Sequence, residues 1–159
     1  MQIEMQKKID ELEQKRAKIE EGGGAEAIAR QHAEGKLTAR ERLALLFDPG
    51  TFEEFGAFVK HSCTDFGMDR IDAPCDGIIT GWGKVNGRPV FAYAQDYTVF
   101  GASGGPEHGK KQVKTQHQAG WMRVPLVIMT DSGGIRPQEQ HTAMDFQARM
   151  FNAHTLWSG

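Results

Sequence analysis

Residues 124–134 read Val-Pro-Leu-Val-Ile-Met-Thr-Asp-Ser-Gly-Gly, an apolar run followed by polar residues and two glycines. Its first part, 124–130, is an apolar run with the length of a buried strand. A helical pattern follows over 137–157, with an expected stripe of Met144, Ala148, Phe151 and Thr155 near one face. Consecutive glycines at the start of a helix leave backbone N–H groups unpaired, and the helix dipole favours a negative charge in front of them. The stretch therefore predicts a strand, an anion or oxyanion loop at Gly133 and Gly134, and a helix.

The residues before this stretch predict an α/β arrangement. Residues 77–85 and 88–95 have strand patterns and flank Asn86-Gly87, a strong signal for a hairpin turn. A glycine-rich loop over 100–105 then leads into a polar, helix-compatible pattern over 106–121. The order hairpin, helix, strand, helix is typical of α/β folds with parallel crossovers. A sheet with so few strands would leave the strand that begins at Val124 with an unpaired flank, so we expect the chain to be truncated or to depend on a partner. Two glycine-rich loops at strand ends are expected to form a crevice, and two ordinary tight turns are the alternative.

The N-terminal residues predict two helices. Residues 2–21 form an amphipathic pattern that ends at three consecutive glycines, 22–24. Its narrow stripe suits docking on a partner or on the chain's own domain, and a solvated charged helix is the alternative. The stripe consists of Ile9, Leu12, Arg16 and Ile19. A capping-box spacing from Thr38 to Glu41 then predicts a short second helix before the turn at Asp48-Pro49-Gly50.

Composition excludes several classes of protein. The formal net charge of −2 gives no basic field for nucleic acid. The first residues lack an apolar signal core, and no stretch approaches the roughly 20 apolar residues of a membrane helix, so we expect a cytoplasmic protein without a membrane span. Cys63 and Cys75 fit neither a disulfide framework nor a zinc ribbon and are expected to be reduced. Glycine is enriched, with 19 of 159 residues, against an average of about 7%.

Side-chain catalysis finds little support in the sequence. Neither a P-loop nor a dinucleotide-binding glycine motif follows a strand. A nucleophile elbow needs Gly-x-Ser-x-Gly, but Thr130 occupies the first position before Ser132, and no histidine can be assigned as its base. Four histidines fall on predicted helices without the four-residue spacing of a metal pair, so we expect surface or packing roles and no metal site. They are His108, His117, His141 and His154.

The helix predicted after the first glycine-rich loop carries a basic run, Lys110, Lys111 and Lys114. Such a run is typical of a solvated helix face. Next to an anion loop it could also hold the phosphates of a coenzyme. The sequence leaves both interpretations open.

Four ordered blocks resemble one known family. They are residues 35–52, 76–88, 95–103 and 131–139. These blocks are similar to the N-terminal half of acyl-CoA carboxyltransferase subunits of the propionyl-CoA and methylmalonyl-CoA type, and to the related decarboxylase alpha subunits. The resemblance implies an α/β crotonase-like fold, a superhelix with two strands and a helix per turn, preceded by N-terminal helices. It divides the chain into an N-terminal helical segment, 1–60, and an incomplete carboxyltransferase N domain, 61–159, whose C-terminal half is missing.

The resemblance also implies a function. Family members transfer a carboxyl group between biotin, which a partner protein carries, and an acyl-CoA, through an enolate held by backbone N–H groups. The implied oxyanion donors are Gly133 and Gly134. The implied coenzyme-binding residues are Phe100, Gly101, Ala102 and Ser103, with Lys110, Lys111, Lys114 and Arg40 as further contributors, and Ala102 replaces the family's usual glycine.

The expected partners follow from the same resemblance. They are a biotin carboxyl carrier protein and biotin carboxylase or decarboxylase subunits, together with further copies of the chain or a complementing C-terminal chain. We expect the chain alone to be inactive. Three alternatives stay open: a decarboxylase subunit of the glutaconyl-CoA type, a noncatalytic assembly subunit, and a hydrolase that uses Ser132.

Overall fold

The computed structural model describes residues 2–158, and the side chains of residues 4–158. The α-helices of this part of the chain are α1 (Gln2–Glu20), α2 (Ala25–Ala33), α3 (Ala39–Leu46), α4 (Pro106–Met122) and α5 (Gln140–Trp157). The strands are β1 (Glu53–Phe55), β2 (Ile78–Val85), β3 (Arg88–Gln95) and β4 (Leu126–Met129). Short 3₁₀ turns lie at Asp65–Arg70, Pro74–Gly77, Phe100–Ala102 and Pro137–Glu139.

The hairpin of β2 and β3 forms the centre of the sheet, as the sequence predicts. The turn residues Asn86 and Gly87 have φ angles of 51° and 75°, the left-handed conformation that a tight hairpin turn requires. The Asp48 carboxylate accepts hydrogen bonds from both of their N–H groups, at 3.0 and 2.8 Å. The predicted hairpin is confirmed, and the carboxylate fixes its turn.

The sheet has the order β1-β2-β3-β4, with β1 and β3 antiparallel to β2, and β4 parallel to β3. Helix α4 makes the crossover from β3 to β4. Among the described residues no strand pairs with the outer flank of β4, and Ile128 is 38% exposed. The predicted unpaired flank is confirmed, whereas the prediction of a fully buried strand is wrong because β4 lies at the edge.

The core joins α3 to the hairpin. Ala39, Leu43 and Phe47 pack against a group of buried apolar side chains of β2 and β3, namely Ile79, Val90, Ala92 and Ala94. The Thr38 side chain and Glu41 form the predicted capping box at the start of α3. Because α3 belongs to this core and β1 pairs with β2, the sheet and its core extend across the division predicted at residue 60.

Helix α5 packs against α4 through a different face from the one predicted. Ala143, Phe146 and Ala153 are buried, whereas the predicted stripe, which contains Met144 and Phe151, is exposed. Phe146 lies over Gly109 of α4, where a Cβ atom would come within 1.8 Å of the ring. The sequence pattern predicted the wrong face because α5 has apolar residues on two faces. The face that packs is the one that meets Gly109, where α4 leaves room for the Phe146 ring.

Candidate functional site

Two loops meet where β3 and β4 end. The first spans residues 96–105 and the second residues 130–136. Because parallel strands end at the same edge of a sheet, loops that follow them lie side by side. The Gly133 N–H donates to the Gly101 carbonyl at 2.8 Å, and the Gly104 N–H donates to the Gly134 carbonyl at 2.8 Å. The structure therefore brings the two glycine-rich loops together as one unit, which we call the paired loops.

Both N–H groups that the sequence assigned to an oxyanion already make hydrogen bonds within the paired loops. The Gly133 N–H donates to the Gly101 carbonyl of the first loop. The Gly134 N–H donates to the Ser132 hydroxyl at 3.1 Å, and Gly134 is exposed with φ +104°. A hydroxyl can be displaced more easily than a backbone carbonyl fixed between two loops. Of the two predicted donors, Gly134 is the one that the geometry leaves accessible.

The glycine pair does not start a helix, which corrects the expectation from the sequence. Residues 130–134 are irregular, and Ile135 bridges to Gly104 in an extended conformation. A 3₁₀ turn at Pro137–Glu139 follows, and α5 begins only at Gln140. The dipole of α5 therefore does not act on the N–H groups of Gly133 and Gly134, since helix-dipole effects fade within the first turn.

The first loop has an unusual backbone. Phe100, Gly101 and Ala102 have φ angles of 50°, 62° and 47°, a left-handed run that is unfavourable for residues with a Cβ atom. Ala102 is fully buried, and a Cβ atom on Gly77 would lie 3.2 Å from its Cα. The surrounding packing thus holds Phe100 and Ala102 in strained conformations, which is common in loops that bind ligands.

Arg136 is a buried residue that binds the first of the paired loops, and no role was predicted for it from the sequence. Its side chain is 1% exposed. It donates to Asp76 Oδ1 at 2.7 Å, to Glu139 Oε2 at 2.8 Å, and to the Ser103 carbonyl at 2.7 Å. The guanidinium carbon also lies 5.4 Å from the centre of the Phe100 ring. One buried cation thus connects the first loop, the turn before β2 and the turn before α5.

His108 completes this buried network from α4. Its backbone N–H donates to Asp76 Oδ2 at 2.8 Å. Its Nδ1 lies 2.9 Å from the Asp76 carbonyl, and its Nε2 lies 3.2 Å from the Gln95 amide nitrogen. Burial lowers the pKa of His108 to about 4, so the ring is neutral at pH 7. This arrangement assigns the Nδ1–H tautomer, which donates to the carbonyl, and it agrees with the predicted packing role.

The three lysines of α4 face different environments. Lys111 is buried, and its ammonium donates to the carbonyls of Cys75, at 2.9 Å, and Ile78. Burial also lowers the pKa of Lys111. Its predicted contact with coenzyme phosphates does not agree with this position. Lys110 and Lys114 are exposed instead.

Lys110 and Lys114 line a groove of about 420 Å³ between α4 and α5. Pro106, the residue directly after the first loop, also lines it, and Phe146 and Arg149 contribute from α5. Lys110 pairs with Glu107, and the Lys114 ammonium lies 5.6 Å from the centre of the Phe55 ring. The groove is therefore amphipathic, because the ring of Phe146 lines it together with cationic side chains and the carboxylate of Asp145.

Arg40 lies apart from these lysines. Its guanidinium pairs with Glu54 of β1 at 2.8 Å, and its side chain is 25% exposed. The pair faces the cavity between α1 and β1 rather than the paired loops. The structure therefore does not bring Arg40 together with the other predicted coenzyme-binding residues.

Ser132 has a structural position. Its hydroxyl donates to the Ala102 carbonyl at 2.7 Å and accepts from the Gly134 N–H.

Residues 2–158 contain no cluster of three or more His, Cys, Asp or Glu side chains that could hold a metal ion. Cys63 and Cys75 are free cysteines in the structure. Within the described part of the chain, no helix is both long and apolar enough to span a membrane.

The sequence profile of the carboxyl transferase domain matches residues 30–159, which is most of the chain. The chain belongs to the carboxyl transferase domain family. The chain is 49% identical over 153 residues to the methylmalonyl-CoA decarboxylase subunit alpha of Propionigenium modestum, covering 96% of the chain and 30% of that protein. It is 45% identical over 151 residues to the propionyl-CoA carboxylase beta chain of Cereibacter sphaeroides, covering 95% and 30%.

A solved structure shows the same fold. The transcarboxylase 12S protein, a hexamer whose structure contains methylmalonyl-coenzyme A and methylmalonic acid, matches with a TM-score of 0.94 and 44% identity, covering 97% of this chain and 30% of that one. The predicted crotonase-like α/β fold and the predicted family are confirmed. The chain spans about 30% of the length of these relatives.

Proposed function

We propose that this chain forms the N-terminal part of a subunit that transfers a carboxyl group between biotin and an acyl-CoA of the propionyl-CoA or methylmalonyl-CoA type. Membership of the carboxyl transferase domain family, with relatives named as methylmalonyl-CoA decarboxylase and propionyl-CoA carboxylase subunits, supports this proposal. Removal of the carboxyl group from the acyl-CoA is the reverse of its addition, so the same site serves either direction. The observation that carries the proposal is the unit of paired loops at the carboxyl ends of β3 and β4.

Within this function the paired loops would bind the thioester end of the substrate. Carboxyl transfer passes through an enolate, whose oxygen needs hydrogen-bond donors that are already in place. We assign the exposed N–H of Gly134 as one donor. It would exchange its hydrogen bond to the Ser132 hydroxyl for one to the enolate oxygen. The Gly133 N–H acts indirectly, because its bond to Gly101 holds the second loop in position. Biotin, carried on a partner protein, would supply or receive the carboxyl group, and we assign none of this chain's residues to binding it.

The coenzyme end of the substrate would lie along the first loop and the α4–α5 groove. Phe100 to Ser103 shortly precede Pro106, which lines the groove, and Lys110 and Lys114 provide charge for the phosphates. Lys111 is omitted because its ammonium is used inside the fold. Ammonium–phosphate contacts at a surface are screened by salt, so we expect affinity for coenzyme A to fall as ionic strength rises from about 0.01 to 0.15 M.

Calorimetry with coenzyme A tests this assignment on the 159-residue chain. We expect the double substitution Lys110→Glu and Lys114→Glu to weaken binding about tenfold, since each lost contact is replaced by repulsion. The double substitution Lys7→Glu and Lys84→Glu, at two exposed lysines outside the groove, makes the same charge change and is the matched control, which is expected to leave binding unchanged. Equal affinity in the double variant would return both lysines to the role of a solvated helix face. No binding of coenzyme A by the parent chain, together with stable binding of a partner subunit, would favour the noncatalytic assembly alternative.

The oxyanion assignment needs a change that removes one N–H group and little else. Proline at position 134 is unsuitable, because its φ is fixed near −65°, whereas Gly134 has φ +104°. Replacement of the Gly134 amide by an ester removes the N–H and keeps the backbone conformation. In the complete carboxyltransferase we expect the transfer rate to fall by about 10²–10³-fold with unchanged folding. An unchanged rate would show that Gly134 is not a donor. The cytoplasmic location and the carrier and carboxylase partners inferred from the sequence stay predictions.

A further inference from the structure

Helix α1 is almost entirely solvent-exposed. Residues 4–18 are all exposed, and Ile19 is its first buried residue among those described. At 19 residues the helix is about 28 Å long. Met5, Ile9 and Leu12 are 59%, 41% and 43% exposed. An apolar stripe of this kind on a helix that leaves its own domain is suited to an intermolecular contact.

The stripe has the spacing of a coiled coil. Its members are Met5, Ile9, Leu12, Arg16 and Ile19, separated by four, three, four and three residues. This spacing places them at alternating core positions of a heptad repeat. Arg16 is a polar residue at one core position, which reduces stability but selects a register. Since Ile19 is already buried by the chain itself, the free part of the seam runs from Met5 to Arg16.

The charges that flank the seam select both the partner and its direction. Lys8 and Lys15 lie on one side, and Glu13 and Glu20 lie on the other. In a parallel pair each residue on the first side contacts the residue five positions later on the second helix. Lys8 then meets Glu13 of the second copy, which is the pair inside the free part of the seam, because Glu20 lines the cavity between α1 and β1 of its own chain. In an antiparallel pair centred near residue 11, Lys8 would face Lys15 of the second copy, which is repulsive.

We propose that α1 is a self-association element, which forms a parallel two-stranded coiled coil with α1 of a second copy of this chain. The contact is isologous, as expected for a two-fold symmetric dimer. The seam covers only about two heptads, so the association is expected to be reversible. The charge pattern distinguishes this partner from an unrelated surface, because each helix carries the complement of its own flanking charges.

A charge-exchange experiment tests the proposal by sedimentation equilibrium of the 159-residue chain. Lys8→Glu places a glutamate against Glu13 of the second copy, and Glu13→Lys places a lysine against Lys8 of the second copy. We expect each variant alone to dimerise about tenfold more weakly than the parent chain. An equimolar mixture of the two variants should restore dimerisation, because both charge pairs across the heterodimer interface are then attractive, whereas each homodimer carries two repulsive pairs. Lys7→Glu, with the same charge change on the opposite face of α1, is the matched control and should have no effect.

Direction is tested by spin labels at position 4 in a Cys63→Ser background. In a parallel pair the two labels lie side by side. In an antiparallel pair centred near residue 11 they are separated by a further distance of about 21 Å along the axis. A short distance, with recovery of the dimer in the mixture, supports the proposal. Dimerisation that is unchanged in both charge variants would show that another face, such as the edge of β4, makes the contact. A purely monomeric parent chain at high micromolar concentration would also overturn the proposal.

Discussion

Replacement of Arg136 by methionine should destabilise the fold far more than the same change at an exposed arginine. The Arg136 guanidinium is 1% exposed and lies between the carboxylates of Asp76 and Glu139, which are 0% and 7% exposed. Methionine fills a similar volume but leaves both carboxylates buried without their cation. The substitution Arg149→Met is the matched control, because Arg149 pairs with Asp145 at a similar distance of 2.7 Å while both side chains are mostly exposed.

The expected magnitude follows from burial. Removal of one partner from a buried ion pair lowers the free energy of unfolding by about 3–5 kcal/mol, because a charge is left unpaired. Loss of an exposed pair has little effect, because water and salt already screen both charges. For a domain of this size each kcal/mol corresponds to about 2–4 °C in the melting temperature. We therefore expect Arg136→Met to lower the melting temperature by about 6–20 °C, and Arg149→Met to leave it almost unchanged.

Circular dichroism during thermal and urea unfolding measures both changes in the 159-residue chain. A double-mutant cycle with Asp76→Asn adds a second test, because the double variant should lose less free energy than the sum of the single variants. If Arg136→Met lowers the melting temperature no further than Arg149→Met does, the buried network does not hold the paired loops together. Strict additivity in the cycle would lead to the same conclusion.

Two further predictions concern α4. His108 has its pKa lowered to about 4 by burial, against about 6.5 when unfolded, so it stabilises the fold above pH 6.5 and this contribution is lost as the pH falls towards 4. The free energy of unfolding, measured with urea, should fall by about 3 kcal/mol more between pH 7 and 4 in the parent chain than in His108→Gln. The exposed His141→Gln variant should show the same fall as the parent chain. Gly109→Ala should reduce stability by about 1–3 kcal/mol, because its methyl group would collide with Phe146. In a Phe146→Ala background the same substitution should stabilise the chain by up to about 1 kcal/mol, since alanine is the better helix former, and thermal unfolding that shows no such change of sign would contradict the packing argument.

Local sequence signals determined the elements that depend on neighbouring residues. The Asn86-Gly87 turn, the capping box at Thr38 and the helix that begins at Pro106 were predicted correctly, because each depends on conformational preferences within a few residues. The blocks of residues that resemble the carboxyltransferase family identified the fold by similarity. Helix α2 and strand β1 were not predicted. β1 has only three residues, and such a short strand is defined by its pairing with β2 rather than by its own pattern.

The candidate site shows the limits of the sequence most clearly. The sequence located both glycine-rich loops, but it could not show that the Gly133 N–H is used by Gly101, that Lys111 is buried or that Arg136 lies beneath the loops. Each of these facts depends on contacts between residues far apart in the chain. A lysine looks the same in the sequence whether its ammonium meets water or a backbone carbonyl, because only the packing of distant elements determines its surroundings. The sequence thus determined the family and the local conformations, and the tertiary structure decided which polar groups remain accessible to a ligand.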